Sequence, residues 1–179
     1  MISPKKVCII LCFLVLGSCY ESLDFKQLNN FVVKPVFTAA LNYFSIVPSQ
    51  FISSNGTQQI SISDITDING LQDITNDVVR LEFNAEIKNE LDRGVTITVE
   101  FLDRISRLTY SFTSIFVESN DLNYIYLEAI DVLTYPNILN TSKVKVTLEL
   151  ENTGTPLNPD DTSEFEFKSS VTLFIESSF

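Results

Sequence analysis

Apolar and polar residues alternate along much of the chain, most regularly between Val79 and Lys88. Successive side chains of a β-strand point to opposite faces, so this alternation predicts a strand with one buried and one exposed face. The same period of two predicts further strands over residues 95–101, 108–112, 144–150 and 165–175. Turn-forming residues at 89–94 favour a β-hairpin between the first two strands, and a slip in phase at 113–117 predicts a bulge or a bend.

The segments between these strands are less regular. Residues 31–47 carry β-branched and aromatic side chains around a proline, which favours one or two edge strands, and residues 60–62 are a short further candidate. Residues 122–130 predict another strand, and Pro136 limits any helix that follows to a turn or two. Two prolines and two aspartates make residues 152–162 an exposed loop.

Together these patterns predict an all-β protein. About seven to nine strands, little helix and frequent turn signals favour two packed antiparallel sheets, as in an immunoglobulin-like β-sandwich. A small β-barrel is the main alternative. The chain has no tryptophan and lacks the cysteine marks of antibody domains, so an immunoglobulin likeness would be one of architecture alone.

The first nineteen residues have the order of a bacterial export signal. Two lysines precede an apolar run at 7–16, and two small residues then precede Cys19. An apolar run of this length forms a helix of only about 15 Å, roughly half of the hydrocarbon thickness, so a permanent span is disfavoured. Leu16–Cys19 resembles the bacterial lipobox, in which the cysteine is acylated and the preceding peptide removed. The alternative is an ordinary signal peptide that leaves Cys19 unmodified.

The chain therefore divides into three predicted parts. Residues 1–18 are a lipoprotein signal peptide, residues 19–29 are the lipidated Cys19 and a short tether, and residues 30–179 are a single β-sandwich domain. The other two cysteines lie within the signal peptide, so no disulfide is expected in the mature domain.

Attachment to a membrane through lipid is the expected consequence, because two or three acyl chains anchor a protein durably. The residue after the lipidated position is Tyr20, whereas the enterobacterial signal for retention at the inner membrane is an aspartate. The outer membrane is therefore favoured. The sequence leaves open whether the domain faces the periplasm or the cell surface.

The charge balance excludes one class of partner. The net charge is −11, and it becomes −13 when Lys5 and Lys6 leave with the signal peptide. Basic residues are scattered singly, so no nucleic-acid partner is expected, since phosphate backbones require clustered lysine and arginine. Solubility is the simplest explanation for the negative surface.

The residue inventory also disfavours catalysis. The chain has no histidine, which removes histidine-based nucleophile pairs and histidine metal ligands, and no cofactor is expected. Ser142 and Lys145 have the spacing of a serine acylase motif, but that motif requires a helical turn and these residues fall on a predicted strand. Paired carboxylates of the glycosidase type remain a hypothesis, although most acidic residues occupy outward strand positions.

One acidic stretch is a weak candidate for a metal site. Its oxygen-bearing side chains could gather around Ca²⁺, and they are Asp64, Asp67, Asn69, Asp73 and Asp77. The stretch lacks the terminal bidentate glutamate of an EF-hand. Isoleucine or leucine recurs every three residues from Ile65 to Ile74, so the favoured alternative is a connector with its apolar side packed on the sandwich.

Residues Asn76–Asp103 and Pro136–Phe174 resemble a group of uncharacterised lipoproteins from flavobacteria and related Bacteroidetes. The resemblance implies that an N-x-x-D-R hairpin tip, here Asn89–Arg93, joins two strands and that Lys168–Phe174 closes the domain. It supports the lipoprotein prediction and the all-β fold. It implies no activity, because the group has no assigned catalytic residues.

These observations favour a non-enzymatic envelope lipoprotein that uses its β-sandwich for structural or protein-binding work, with an envelope protein as partner. The second hypothesis is a carbohydrate- or calcium-dependent binding module. The third is a hydrolase, which would need an exposed cleft with two carboxylates about 5 to 9 Å apart.

Overall fold

The computed structural model describes residues 32–68 and 77–178. Eleven strands form in this part of the chain, and the list that follows gives their bounds: β1 Val32–Val33, β2 Val36–Ile46, β3 Ser61–Asp67, β4 Val78–Asn89, β5 Val95–Leu102, β6 Leu108–Ser111, β7 Ile115–Val117, β8 Tyr124–Asp131, β9 Lys143–Leu150, β10 Phe165–Ile175 and β11 Ser177–Ser178. Two 3₁₀ turns, Pro48–Phe51 and Pro136–Asn140, complete the elements.

Nine of the strands form two antiparallel sheets within the compact unit Val33–Ser177. One sheet has the order β2-β10-β4-β8, and the other has the order β3-β9-β5-β6 with β7 also paired to β5. Strands β1 and β11 pair separately. The predicted sandwich is confirmed, and the two sheets do not close into a barrel. Successive strands mostly alternate between the sheets, which is the connectivity of a jelly roll, so the immunoglobulin likeness is one of architecture alone.

The predicted hairpin between β4 and β5 is wrong. The strands themselves form, but β4 pairs with β8 and β10, while β5 belongs to the other sheet. Residues 90–94 therefore carry the chain across the sandwich. Turn-forming residues are equally compatible with a hairpin within one sheet and with a crossing between two sheets, so the local sequence could not distinguish these two arrangements.

Inward-facing side chains of both sheets form one core. On β4 the buried positions alternate from Leu81 to Ile87, as the period of two predicts. Phe83 lies near its centre and contacts the rings of Phe101 from the other sheet and of Phe112 just after β6, with centroids 6.4 and 4.4 Å away. With no disulfide in the described residues, this apolar packing holds the sheets together.

The other segments agree with the predicted elements except in length. Strand β3 extends to Asp67 and is longer than the predicted residues 60–62. The phase slip at 113–117 separates β6 from β7, both of which pair with β5. The loop after β9 is mostly exposed, but Leu157 is buried and Asp161 and Ser163 are half-buried. In the described ranges, no helix has the length and apolar character to cross a membrane.

Candidate functional site

Three of the predicted site residues, Asp64, Asp67 and Asp77, lie within the described residues, and these three do not come together. Cys19, Asn69 and Asp73 lie outside the described residues. Asp64 and Asp67 both lie on β3, and their odd spacing places them on opposite faces of that strand. Across residues 32–68 and 77–178, no group of three or more carboxylate or thiol side chains is placed to hold a metal ion.

The alternative interpretation of the acidic stretch needs a correction. Residues 64–67 continue strand β3 and are not a connector, because they pair in register with Val144–Val146 and Lys143 of β9. Ile65 is 50% exposed on the outer face and does not pack on the sandwich, whereas Ile68 does contact the core. Asp77 immediately precedes β4, where its carbonyl accepts the backbone N–H of Glu176.

Ser142 and Lys145 do not form a catalytic pair. Lys145 Nζ donates to Glu100 Oε2 at 2.8 Å, and these two residues are opposite each other in the β5–β9 register. Ser142 Oγ is buried and has no hydrogen-bond partner in the described part of the chain. The lysine is therefore part of a cross-strand ion pair.

A hydrogen-bonded carboxylate connects the two sheets along one side of the sandwich. Glu128 of β8 accepts from the hydroxyl of Tyr110 on β6 at 2.6 Å and from the hydroxyl of Tyr126 on its own strand. The backbone N–H of Thr113 donates to the same carboxylate at 3.2 Å. Strands β6 and β8 end their respective sheets, so this cluster joins two edges. Asn42 of β2 and Thr66 of β3 make the corresponding contact on the opposite side, at 2.7 Å.

The electrostatics of this cluster oppose a role in acid catalysis. Desolvation acts to raise the pKa of Glu128, but the three donors outweigh it and hold that pKa below its usual value. Burial and the neighbouring carboxylate raise the pKa of Tyr126 to about 12 and raise the pKa of Tyr110 as well. A general acid needs a carboxyl pKa that is raised toward neutrality, so Glu128 is suited to a structural role.

An apolar row is exposed on the outer face of β8. Ile125 is 71% exposed and Leu127 is 61% exposed, and exposed Leu122 lies just before the strand. Among the described strands, β8 ends its sheet and has a neighbour on one side only, which is β4. We call these three residues the β8 row. Adjacent apolar side chains on an edge strand are a typical feature of protein-binding surfaces.

A cleft of about 820 Å³ lies beside the tip of the β5–β6 hairpin. The hairpin loop Asp103–Arg107 forms one wall, and the turn Pro136–Asn140 contributes the other. The lining includes two arginines and two asparagines together with the apolar side chains of Ile105, Leu108 and Leu139. We call this space the hairpin cleft.

Comparison with known proteins gives likenesses of backbone shape alone. No protein-family model matches the chain. No curated protein matches its sequence either. The chain is similar to a structure from Parabacteroides distasonis that is described as a secreted protein, with 15% identity and a TM-score of 0.49 over 63% of this chain and 38% of that one.

Two other solved structures are similar at lower scores. One is VP2 in the subviral particle of infectious bursal disease virus, with 10% identity and a TM-score of 0.44 over 79% of this chain and 33% of that one. The other forms Bacillus endospore appendages, with 10% identity and a TM-score of 0.37 over 82% and 93% of the two chains. The chain spans little more than a third of the Parabacteroides protein and a third of VP2.

The sequence predicted part of these surfaces. Tyr124 and Tyr126 alternate in phase with Ile130, so their inward direction follows from the period of two. Glu128 follows Tyr126 in the same inward phase, which is visible in the sequence, and a carboxylate next to an inward tyrosine is a signal for a hydrogen-bonded cluster. Its partner Tyr110 and the two walls of the hairpin cleft come from separate segments, and no local pattern connects them.

Proposed function

We propose that this chain is a lipid-anchored envelope protein whose β-sandwich binds another protein and performs no catalysis. The observation that carries the binding proposal is the β8 row, which leaves two large apolar side chains exposed on an edge strand and a third just before it. Attachment through Cys19 and placement at the outer membrane are supported by the lipobox-like sequence and by Tyr20, as argued above.

The first prediction concerns the anchor. We expect the wild-type protein, expressed at full length in a flavobacterial host, to incorporate labelled palmitate, and we expect Cys19→Ala to incorporate none. Cys12→Ala is the matched control, because that cysteine lies in the segment that is removed and its loss should leave labelling unchanged. Unlabelled wild-type protein would contradict the anchor and indicate a secreted domain. Protease treatment of intact cells then determines which side of the outer membrane the domain faces.

The partner expected at the β8 row is an extended segment with alternating apolar and basic side chains. An open strand edge binds an added strand through backbone hydrogen bonds, and the exposed row offers apolar contacts beside it. Acidic residues lie close to the row: Glu86 is opposite Ile125 in the β4–β8 register, Asp121 precedes the strand and Asp131 ends it. The two lysines beside the row, Lys88 and Lys168, are each ion-paired with a glutamate. A basic partner complements this charge.

The second prediction tests that surface with a photoreactive amino acid placed at Ile125 of the anchored protein. We expect one adduct of defined mass, and we expect Leu127→Lys to reduce its yield about tenfold, because the lysine removes an apolar contact and repels a basic partner. High salt should lower the yield for the same reason.

The control position for this experiment is Tyr43. It is 66% exposed on the outer face of β2, and the register places it in the same row across the sheet as Ile125, at the opposite edge. An equal adduct from Tyr43, or an adduct from Ile125 that Leu127→Lys does not change, would contradict binding through the β8 row.

A further inference from the structure

A narrow crevice opens between the two sheets on the side opposite the Glu128 cluster. Among the described strands, β2 and β3 end their respective sheets on this side. The hydrogen bond from Asn42 to Thr66 joins these two strands at 2.7 Å, and the crevice lies further along both of them, between residues 44–46 and residues 62–64. Its volume is about 200 Å³. We call it the edge crevice.

The inner walls of the edge crevice are apolar. Phe44 and Ile46 of β2 and Ile62 of β3 line it, and all three are partly buried against the core. Val146 and Leu148 of β9 also line it and are buried themselves. Because these side chains leave a space between the sheets, an apolar group that enters it is removed from water, which favours its binding.

A single charged residue lines the edge crevice, and it is Asp64. Its position on β3 has the same inward phase as Ile62 and Thr66, yet the residue is exposed, as expected at the mouth of an open edge. Within residues 32–68 and 77–178, no ion pair includes Asp64. No lysine or arginine of these residues lines the crevice either. An unneutralised carboxylate beside an apolar space matches a ligand that joins a cation to an apolar group.

The size of the edge crevice restricts this ligand. A space of about 200 Å³ holds about six or seven non-hydrogen atoms, if each takes the roughly 30 Å³ of a water molecule in the liquid. A primary amine with a short alkyl chain has this size. Its ammonium group has three donors, and the oxygens of Ser63 and Gln50 line the crevice together with the Asp64 carboxylate.

We infer that the edge crevice binds a small primary alkyl amine, with the alkyl group between the sheets and the ammonium group beside Asp64. The amine that decarboxylation of leucine yields, 3-methylbutylamine, has the required size and shape. The edge crevice and the β8 row lie on different edges of the sandwich and share no residue. Either proposal can therefore fail without the other.

The test is an NMR titration of the full-length chain with labelled isoleucine methyl groups. The chain carries Cys19→Ala, so that no acyl chain competes for an apolar site. We expect 3-methylbutylamine to shift the methyl signals of Ile46 and Ile62 with a dissociation constant below about 5 mM. We expect 1,4-diaminobutane to bind about tenfold more weakly, because its second ammonium group would have to leave water for the apolar end of the crevice. The neutral analogue 3-methylbutanol should also bind about tenfold more weakly than the amine.

Two substitutions separate the charge from the apolar space. Asp64→Asn keeps the side-chain volume, and it should weaken binding of the amine about tenfold while leaving the affinity for 3-methylbutanol unchanged. Ile62→Phe fills the space and should abolish binding of both compounds. The matched control is Asp67→Asn, which removes a carboxylate from the outer face of the same strand and should leave both affinities unchanged. The dispersion of the methyl spectrum establishes that each variant is folded.

Several results would overturn the inference. The first is the absence of shifts at Ile46 and Ile62 at about 20 mM amine. Equal affinity for 1,4-diaminobutane would show that the apolar walls do not select the ligand, and equal affinity for 3-methylbutanol would show that its charge is not recognised. Unchanged affinity for the amine in Asp64→Asn would leave Asp64 only as an inward charge that protects an open strand edge from pairing.

Discussion

Replacing Asn89 with alanine is expected to lower the free energy of unfolding by about 3–5 kcal/mol. The side chain of Asn89 is completely buried at the end of β4. Its Nδ2 donates to the carbonyl of Arg93 at 2.9 Å and to the carbonyl of Glu118 at 2.8 Å, while its Oδ1 accepts the backbone N–H of Leu91 at 3.1 Å. Alanine leaves all three backbone groups without this partner, and each unsatisfied buried group costs about 1–3 kcal/mol.

The measurement is urea unfolding followed by circular dichroism. Asn84→Ala is the control: Asn84 lies on the outer face of the same strand, forms no side-chain hydrogen bond among the described residues and should change stability by less than about 0.5 kcal/mol. Asn89→Asp separates lost hydrogen bonds from lost volume, since a carboxylate keeps the acceptor but faces two carbonyls. We expect Asn89→Asp to be at least as unstable as Asn89→Ala at neutral pH. Near-wild-type stability of Asn89→Ala would contradict this structural role.

This residue also shows how far a resemblance to a family can be taken. The segment Asn89–Arg93 is the motif that implies a hairpin tip, and the position of the turn is correct. The structure uses the motif to cross from one sheet to the other, with Asn89 bonding to the turn and to the end of β7. A turn motif reflects hydrogen bonds to the backbone within the turn itself. Which strands pair after the turn depends on residues that are distant in the sequence.

Strands with one buried face could be predicted from sequence because burial imposes a period of two on them. The edges were harder to predict. In β2, residues 36–40 are exposed on both faces, and in β3 the acidic residues break the apolar alternation, so the length of β3 was not visible. The hairpin cleft combines residues 103–109 with residues 137–140, and only the packing of the 3₁₀ turn against β6 brings these two segments together.

The cluster around Glu128 provides the second large effect, because it is the place where the edges β6 and β8 are joined by hydrogen bonds. We expect Glu128→Ala to lower the free energy of unfolding by about 2–4 kcal/mol at pH 7, since bonds to a charged acceptor contribute about 1.5–3 kcal/mol each and water can replace part of them at this partly exposed site. Glu128→Gln keeps an acceptor and the side-chain volume, so its loss should be smaller, about 1–2 kcal/mol.

The pH dependence distinguishes the charge from the packing. The folded pKa of Glu128 is lowered, so its stabilisation is fully present above the unfolded pKa of about 4.3 and is lost as the pH falls through the folded pKa. The stability difference between wild type and Glu128→Gln should therefore shrink below about pH 4.5. Other carboxylates, such as Asp103 and Glu166, also have lowered pKa values, but they titrate in both proteins and cancel in the difference.

The tyrosines supply an independent readout of the same cluster. Because desolvation and the Glu128 carboxylate raise the pKa of Tyr126 to about 12, removal of the negative charge in Glu128→Gln should lower the alkaline midpoint of the tyrosinate absorbance. Glu86→Gln, an exposed position on β4 opposite Ile125, is the control and should change neither the midpoint nor the stability by more than about 0.5 kcal/mol. Equal destabilisation by Glu128→Gln at pH 3 and pH 7, together with an unchanged tyrosine titration, would show that the loss of stability comes from packing. That result would contradict the proposal that the charge of Glu128 joins the two sheet edges.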